Sequence, residues 1–271
     1  MQFEFKNKKV HFETHGRGKP IVLLNGIMMS TLSWTPLVGA LSANNQLILV
    51  DFFDQGQSDK YTHEPYGVDL QVSVVEALLD HLALEKAVIA GISYGGNVAY
   101  KFAACFPGRV ERLIVFNALA KSGAWLGDLG KGWVMSASDP AQFYYTTIPI
   151  IYSQEFYNSR PDWVKVRRDF LVGQVFTNRE WMDSIVRLTQ SMDDYDVEDL
   201  LCNITAKTLI VASETDGITP AYEQYKVRDR IKDSELVLLP GVGHATMFEK
   251  PALFVSLITG FANSCIEGMV V

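Results

Sequence analysis

The sequence predicts an α/β protein: a mostly parallel, twisted sheet with helices on both faces and a helical segment inserted between two of its strands. Three observations carry this reading. Short apolar runs alternate with helix-like stretches along most of the chain. A Gly-x-Ser-x-Gly lies between one such run and the helix after it. The alternation then breaks off between about residues 121 and 200. At 271 residues and 48% hydrophobic content, the chain can bury one sizeable core, or a core plus an inserted lid.

The opening residues Met1 to Lys9 alternate apolar and polar like a first strand, and His11 and His15 fall in the same N-terminal hairpin region. The runs 21–24, 46–50, 87–90, 113–116, 208–212 and 235–239 are short and apolar, as buried parallel strands are. Helix-like segments cover 68–81, 94–106 and 248–263, and their alternation with the strands argues for crossovers over both faces of one sheet. Residues 1–120 and 201–271 therefore form the core domain. The segment 121–200 lacks the strand–helix rhythm and holds four of the five tryptophans, so it stands apart as an insertion.

Gly91-Ile92-Ser93-Tyr94-Gly95 follows the run Ala87-Val88-Ile89-Ala90 and leads into Gly96-Asn97-Val98-Ala99-Tyr100. A serine in so sharp a strand-to-helix turn needs glycines on either side, and its hydroxyl is then held out above the sheet. Such a hydroxyl becomes a nucleophile when an imidazole can take its proton. Of the five histidines, His63 lies in a polar loop and His81 ends a helix, whereas His244 sits in Pro240-Gly241-Val242-Gly243-His244 just past a strand. His244 is the candidate base. The loop after 208–212 carries Asp216, placed to accept from an imidazole N–H, with Glu214 as the next acid; Asp216 alternatively caps the helix opened by Pro220. Asn117, uncharged, cannot serve as the acid. The backbone N–H groups of Tyr94 and Ile27 are candidate oxyanion donors. Met28, Trp34 and Met247 either line the same pocket or belong to the core.

The net charge of −7 comes without a basic cluster, which argues against nucleic acid or an anionic membrane surface as partner. Cys105, Cys202 and Cys265 are odd in number and far apart, so they offer no metal pair and no disulfide framework, and a reducing cytoplasm fits. No apolar run approaches the roughly 18–20 residues that span a bilayer, and the N-terminus lacks a signal-peptide pattern. The expectation is a soluble cytoplasmic monomer or homodimer acting on a small molecule.

The order Ser93, Asp216, His244, together with His15-Gly16-Arg17-Gly18-Lys19-Pro20, Val50-Asp51-Phe52-Phe53-Asp54-Gln55-Gly56-Gln57-Ser58 and Phe106-Pro107-Gly108-Arg109-Val110, resembles the α/β-hydrolase superfamily over nearly the whole chain. The resemblance implies that 121–200 is a helical cap over the nucleophile. It also implies hydrolysis of a carboxylic ester, lactone or thioester of a small to medium apolar substrate, with no metal or organic cofactor. Members usually carry His-Gly where this chain has Asn25-Gly26, and often Arg-Gly where it has Gln55-Gly56. Asn25-Gly26 and Asp54-Gln55 also resemble acyltransferases that join hydroxyacyl chains into the rhamnolipid precursor. Two alternatives therefore stand beside the esterase: such an acyltransferase, and a slow-turnover ligand receptor that keeps the triad.

Overall fold

The computed structural model describes residues 1–264, so Cys265 lies outside the described residues. Its strands are β1 (Gln2–Phe5), β2 (Lys8–His15), β3 (Lys19–Leu24), β4 (Asn45–Val50), β5 (Ala87–Ile92), β6 (Val110–Phe116), β7 (Lys207–Ser213) and β8 (Ser234–Leu239). They form one sheet in the order β1-β2-β4-β3-β5-β6-β7-β8. From β4 to β8 every neighbouring pair is parallel, while β1–β2 and β2–β4 are antiparallel. Every residue of β5, the strand that leads into the elbow, is buried, as a strand covered on both faces requires.

The helices outside the insertion are α1 (Val38–Leu41), α2 (Val68–His81) and α3 (Tyr94–Cys105) before it, and α9 (Ala221–Arg228), α10 (Thr246–Glu249) and α11 (Pro251–Asn263) after it. Two successive residues of β6 show how they divide between the faces, because neighbouring strand residues point to opposite sides. Val115 packs on Gly96 of α3, whereas Phe116 packs on Phe254 of α11 at 4.5 Å between ring centroids. The helix expected over 248–263 is two helices. Pro251 opens α11, and Lys250 before it adopts φ −136°, ψ 60°, because the proline ring excludes helical geometry from the preceding residue. The helix expected to reach Phe106 ends at Cys105 for the same reason, ahead of Pro107.

Between β6 and β7 run α4 (Ala124–Ser136), α5 (Pro140–Thr147), α6 (Gln154–Asn158), α7 (Pro161–Phe170) and α8 (Arg179–Gln190). A π-helical turn at Leu171–Val175 follows α7. The two strands of chain that connect this insertion to the sheet pair with each other. Lys121 and Asp196 form an isolated antiparallel bridge and a side-chain ion pair of 2.5 Å, and Val197 N–H donates to Ala120 O at 2.8 Å. A second tie reaches across to the core: the Arg187 guanidinium of α8 donates to both oxygens of the fully buried Asp54, at 2.5–3.2 Å, and Tyr66 Oη donates to Asp54 Oδ2 at 2.7 Å. The hydrogen bonds from Arg187 to Asp54 raise the Arg187 pKa above its ordinary value. No helix among the described residues is long and apolar enough to cross a membrane.

Candidate active site

The turn between β5 and α3 places Ser93. Its backbone is at φ 54°, ψ −123°, a conformation that costs a non-glycine residue about 1–3 kcal/mol. Three glycines make the turn possible. A Cβ on Gly91 would collide with Gly95 O, one on Gly95 with Leu24 O, and one on Gly96 would lie 2.6 Å from Ala118 Cβ. The Ser93 N–H is held by Phe116 O of the adjacent strand at 2.9 Å. Within residues 87–100 every residue is buried except Ser93, which is half-buried.

That hydroxyl lies 2.8 Å from His244 Nε2, and His244 Nδ1 lies 2.7 Å from Asp216 Oδ2. The Asp216 carboxylate is fully occupied. Oδ1 accepts the N–H groups of Ile218 and Thr219 at 2.8 and 2.9 Å, and Oδ2 also accepts the Thr219 hydroxyl at 2.7 Å. The two readings of Asp216 are thus compatible, since one oxygen holds the turn before α9 and the other meets the imidazole. Glu214 is exposed and accepts Gly241 N–H at 2.8 Å, away from the ring. The order Ser93–His244–Asp216 is that of a nucleophile, its base and a carboxylate that fixes the tautomer.

Three residues that support this chain of contacts were not assigned to the site from the sequence, which weighed Asn117 only as an acid. Asn117 follows β6 at φ 49° and donates Nδ2 to His244 O at 2.7 Å and to Thr246 Oγ1 at 3.0 Å. Its place at the carboxyl end of a central strand was the available signal. Thr219, three residues after Asp216, is the second. The third is Glu249, which is buried and accepts Ser153 N–H and Oγ–H, at 2.7 and 2.6 Å, as well as Gly243 N–H at 3.2 Å. It therefore joins the start of α6 to the residue before His244. Replacing Glu249 by alanine leaves these buried donors without an acceptor. The expected cost is about 3 kcal/mol, read as a fall in thermal midpoint of about 6–12 °C.

The loop after β3 brings Ile27 into the lining of the space around Ser93. Asn25 is fully buried, and its Nδ2 donates to Val50 O at 2.8 Å and Gln55 Oε1 at 3.1 Å. Gln55 Nε2 in turn donates to Gly26 O at 2.9 Å, so the two residues that depart from the superfamily pattern hold this loop between them. Tyr94 opens α3, and its N–H, in the first turn, has no acceptor within the helix. Its hydroxyl packs inward to Ser191 Oγ at 2.9 Å, and burial pushes the phenol pKa well above its ordinary value.

Ser93 opens into two compartments. The larger, of about 480 Å³, is lined by His244, Met28, Met247, Trp133, Phe176 and Trp181 among others. The smaller, of about 70 Å³, lies toward α4 and α8 and includes Ile27, Tyr94, Asn97 and Thr189. Of the three residues that the sequence leaves between pocket and core, Met28 and Met247 line the larger compartment, but Trp34 does not. It is fully buried behind the loop, where its Nε1–H donates to Asn25 Oδ1 at 2.6 Å and its ring stacks on Phe254 at 5.7 Å. An indole N–H with a buried amide oxygen within reach is drawn into the core rather than into the cavity. Among the aromatics of the insertion, Trp133, Tyr152, Phe170, Phe176 and Trp181 line the larger compartment. Trp125 and Tyr145 line neither compartment.

Residues 21–257 match the model of the alpha/beta hydrolase family. Among solved structures, the fold is similar to that of MGS-M2, an alpha/beta hydrolase enzyme from a Medee basin deep-sea metagenome library, with a TM-score of 0.96 and 40% identity over 100% of both chains. In sequence it is 24% identical over 260 residues to a putative carbamate hydrolase, RutD, of Azorhizobium caulinodans, covering 94% of this chain and 95% of that one. It is also 24% identical over 259 residues to the 2-hydroxy-6-oxo-2,4-heptadienoate hydrolase of Pseudomonas putida, covering 91% and 90%. These relatives are hydrolases, and the family match takes in the Asn25 loop, the serine turn and the histidine loop alike. The chain belongs to the alpha/beta hydrolase family.

Proposed function

We propose that this protein is a serine hydrolase that cleaves a carboxylic ester, lactone or thioester of an apolar substrate through an acyl-enzyme. The observation that carries the reading is the continuous contact from Asp216 through His244 to Ser93 at the floor of an apolar cavity. Ser93 Oγ attacks the carbonyl while His244 Nε2 takes its proton. The oxyanion is held by the N–H groups of Ile27 and Tyr94, the second supported by the positive end of the α3 dipole. His244 returns the proton to the leaving group, and water attacks the acyl-enzyme with His244 again as base. The related carbamate hydrolase and 2-hydroxy-6-oxo-2,4-heptadienoate hydrolase carry names for different substrates, each of which offers a carbonyl carbon to a nucleophile. Every group these steps need is a side chain or backbone N–H already named, so the chemistry requires no cofactor.

The insertion serves as a cap that closes the cavity from water, and its aromatics give the cavity its apolar wall. A space of about 480 Å³ accommodates a medium chain. Hydrolysis of p-nitrophenyl esters from acetate to laurate is expected to depend on Ser93 and to peak at an intermediate length. A flat profile across the series, or turnover unchanged in Ser93→Ala, would count against this reading.

A further inference from the structure

The larger compartment is walled mainly by apolar side chains, with serine, tyrosine and histidine groups among them. Among the described residues that line it there is no carboxylate, and Arg167 of α7 is the one permanent charge. Its guanidinium lies between two rings, 5.3 Å from the centroid of Trp163 and 5.1 Å from that of Phe248, four residues beyond His244. The neighbouring Arg168 leans toward Asp169 at 3.9 Å, but Arg167 has no ion pair among the described residues. Its Nε–H is buried and has no acceptor. Stacking on aromatic faces offsets only part of the cost of withdrawing a guanidinium from water, and it leaves the buried Nε–H unsatisfied. Tyr152 lines the same wall. Burial raises its phenol pKa, and the nearby guanidinium partly opposes that shift.

We propose that Arg167 receives a carboxylate carried by the substrate away from the scissile carbonyl, so that the preferred substrates are esters bearing a free acid. An anion there would accept the buried Nε–H together with a second guanidinium N–H, in the paired geometry that a carboxylate matches. The apolar surroundings strengthen that pairing relative to water. The proposal rests on the ester-cleaving reading of Ser93 for its substrate class, and on the unpaired guanidinium for its charge.

The test compares monomethyl esters of straight dicarboxylic acids, from succinate to suberate, with methyl esters of the matching monocarboxylic acids. The wild type should favour the acid-bearing series. Arg167→Met should lower the ratio of kcat/KM between the two series by about 10–100-fold, mainly through KM, and Arg167→Lys should keep part of the preference. Equal kcat/KM for both series in the wild type would overturn the proposal. So would a Met variant that loses both series alike, because that marks the guanidinium as packing between rings only. Calorimetry on Ser93→Ala separates this idea from the hydrolase reading. If no ester is turned over but monomethyl dicarboxylates bind and Arg167→Met abolishes that binding, the hydrolase reading fails and the carboxylate site stands. If neutral esters are hydrolysed through Ser93 but no binding depends on Arg167, the carboxylate site fails and the hydrolase reading stands.

Discussion

Replacing Ser93 by alanine is expected to lower kcat by about 10⁴–10⁶ with the fold intact. The change removes one oxygen from a side chain that meets the cavity, and its only side-chain hydrogen-bond partner among the described residues is His244 Nε2. The turn itself is set by Gly91, Gly95 and Gly96 and by the Ser93 N–H on Phe116 O, all of which remain. His244→Ala should fall in the same range, and the double variant should lose little more than either single one, because nucleophile and base act as a unit. Thermal midpoints measured alongside kcat separate this from unfolding. A Ser93→Ala protein that retained most of its activity would remove serine from the mechanism.

Asp216→Asn should cost about 10³–10⁴ in kcat, for a reason specific to this geometry. Asp216 Oδ1 accepts two backbone N–H groups, so an asparagine must keep its carbonyl oxygen there. Its amide nitrogen then faces Thr219 Oγ1 and His244 Nδ1, where the carboxylate oxygen stood. An N–H donor opposite Nδ1 makes Nδ1 an acceptor and moves the ring proton to Nε2. The imidazole then presents N–H to the serine and cannot take its proton. Loss of activity with an unchanged thermal midpoint is the expected outcome, and a silent substitution would place the functional acid elsewhere.

The parts of this molecule that were legible in the sequence are those governed by short-range rules. The elbow could be placed because only glycine fits where a Cβ would strike backbone, as at Gly91 and Gly95. The central strands showed as short apolar runs because β3 to β7 are covered on both faces. His244 and Asp216 stood out as polar tips after such runs. What stayed hidden depends on contacts between distant segments. Trp34 reads as a pocket residue until Asn25 is seen to accept its indole N–H. Glu249 reads as one turn of a helix until Ser153, 96 residues earlier, is found donating to it. Arg167 reads as an ordinary basic residue near a helix end, and nothing in its spacing shows that two rings flank it.

The central claim is that catalysis passes through an ester on Ser93. The direct measurement is the intact mass of the protein, quenched during turnover of p-nitrophenyl butyrate, followed by peptide mapping of any adduct. The account predicts one butyryl group on the peptide that carries Ser93, formed with a burst of p-nitrophenol and absent from Ser93→Ala. Turnover with no adduct at Ser93, or an adduct on another residue that survives Ser93→Ala, would contradict it.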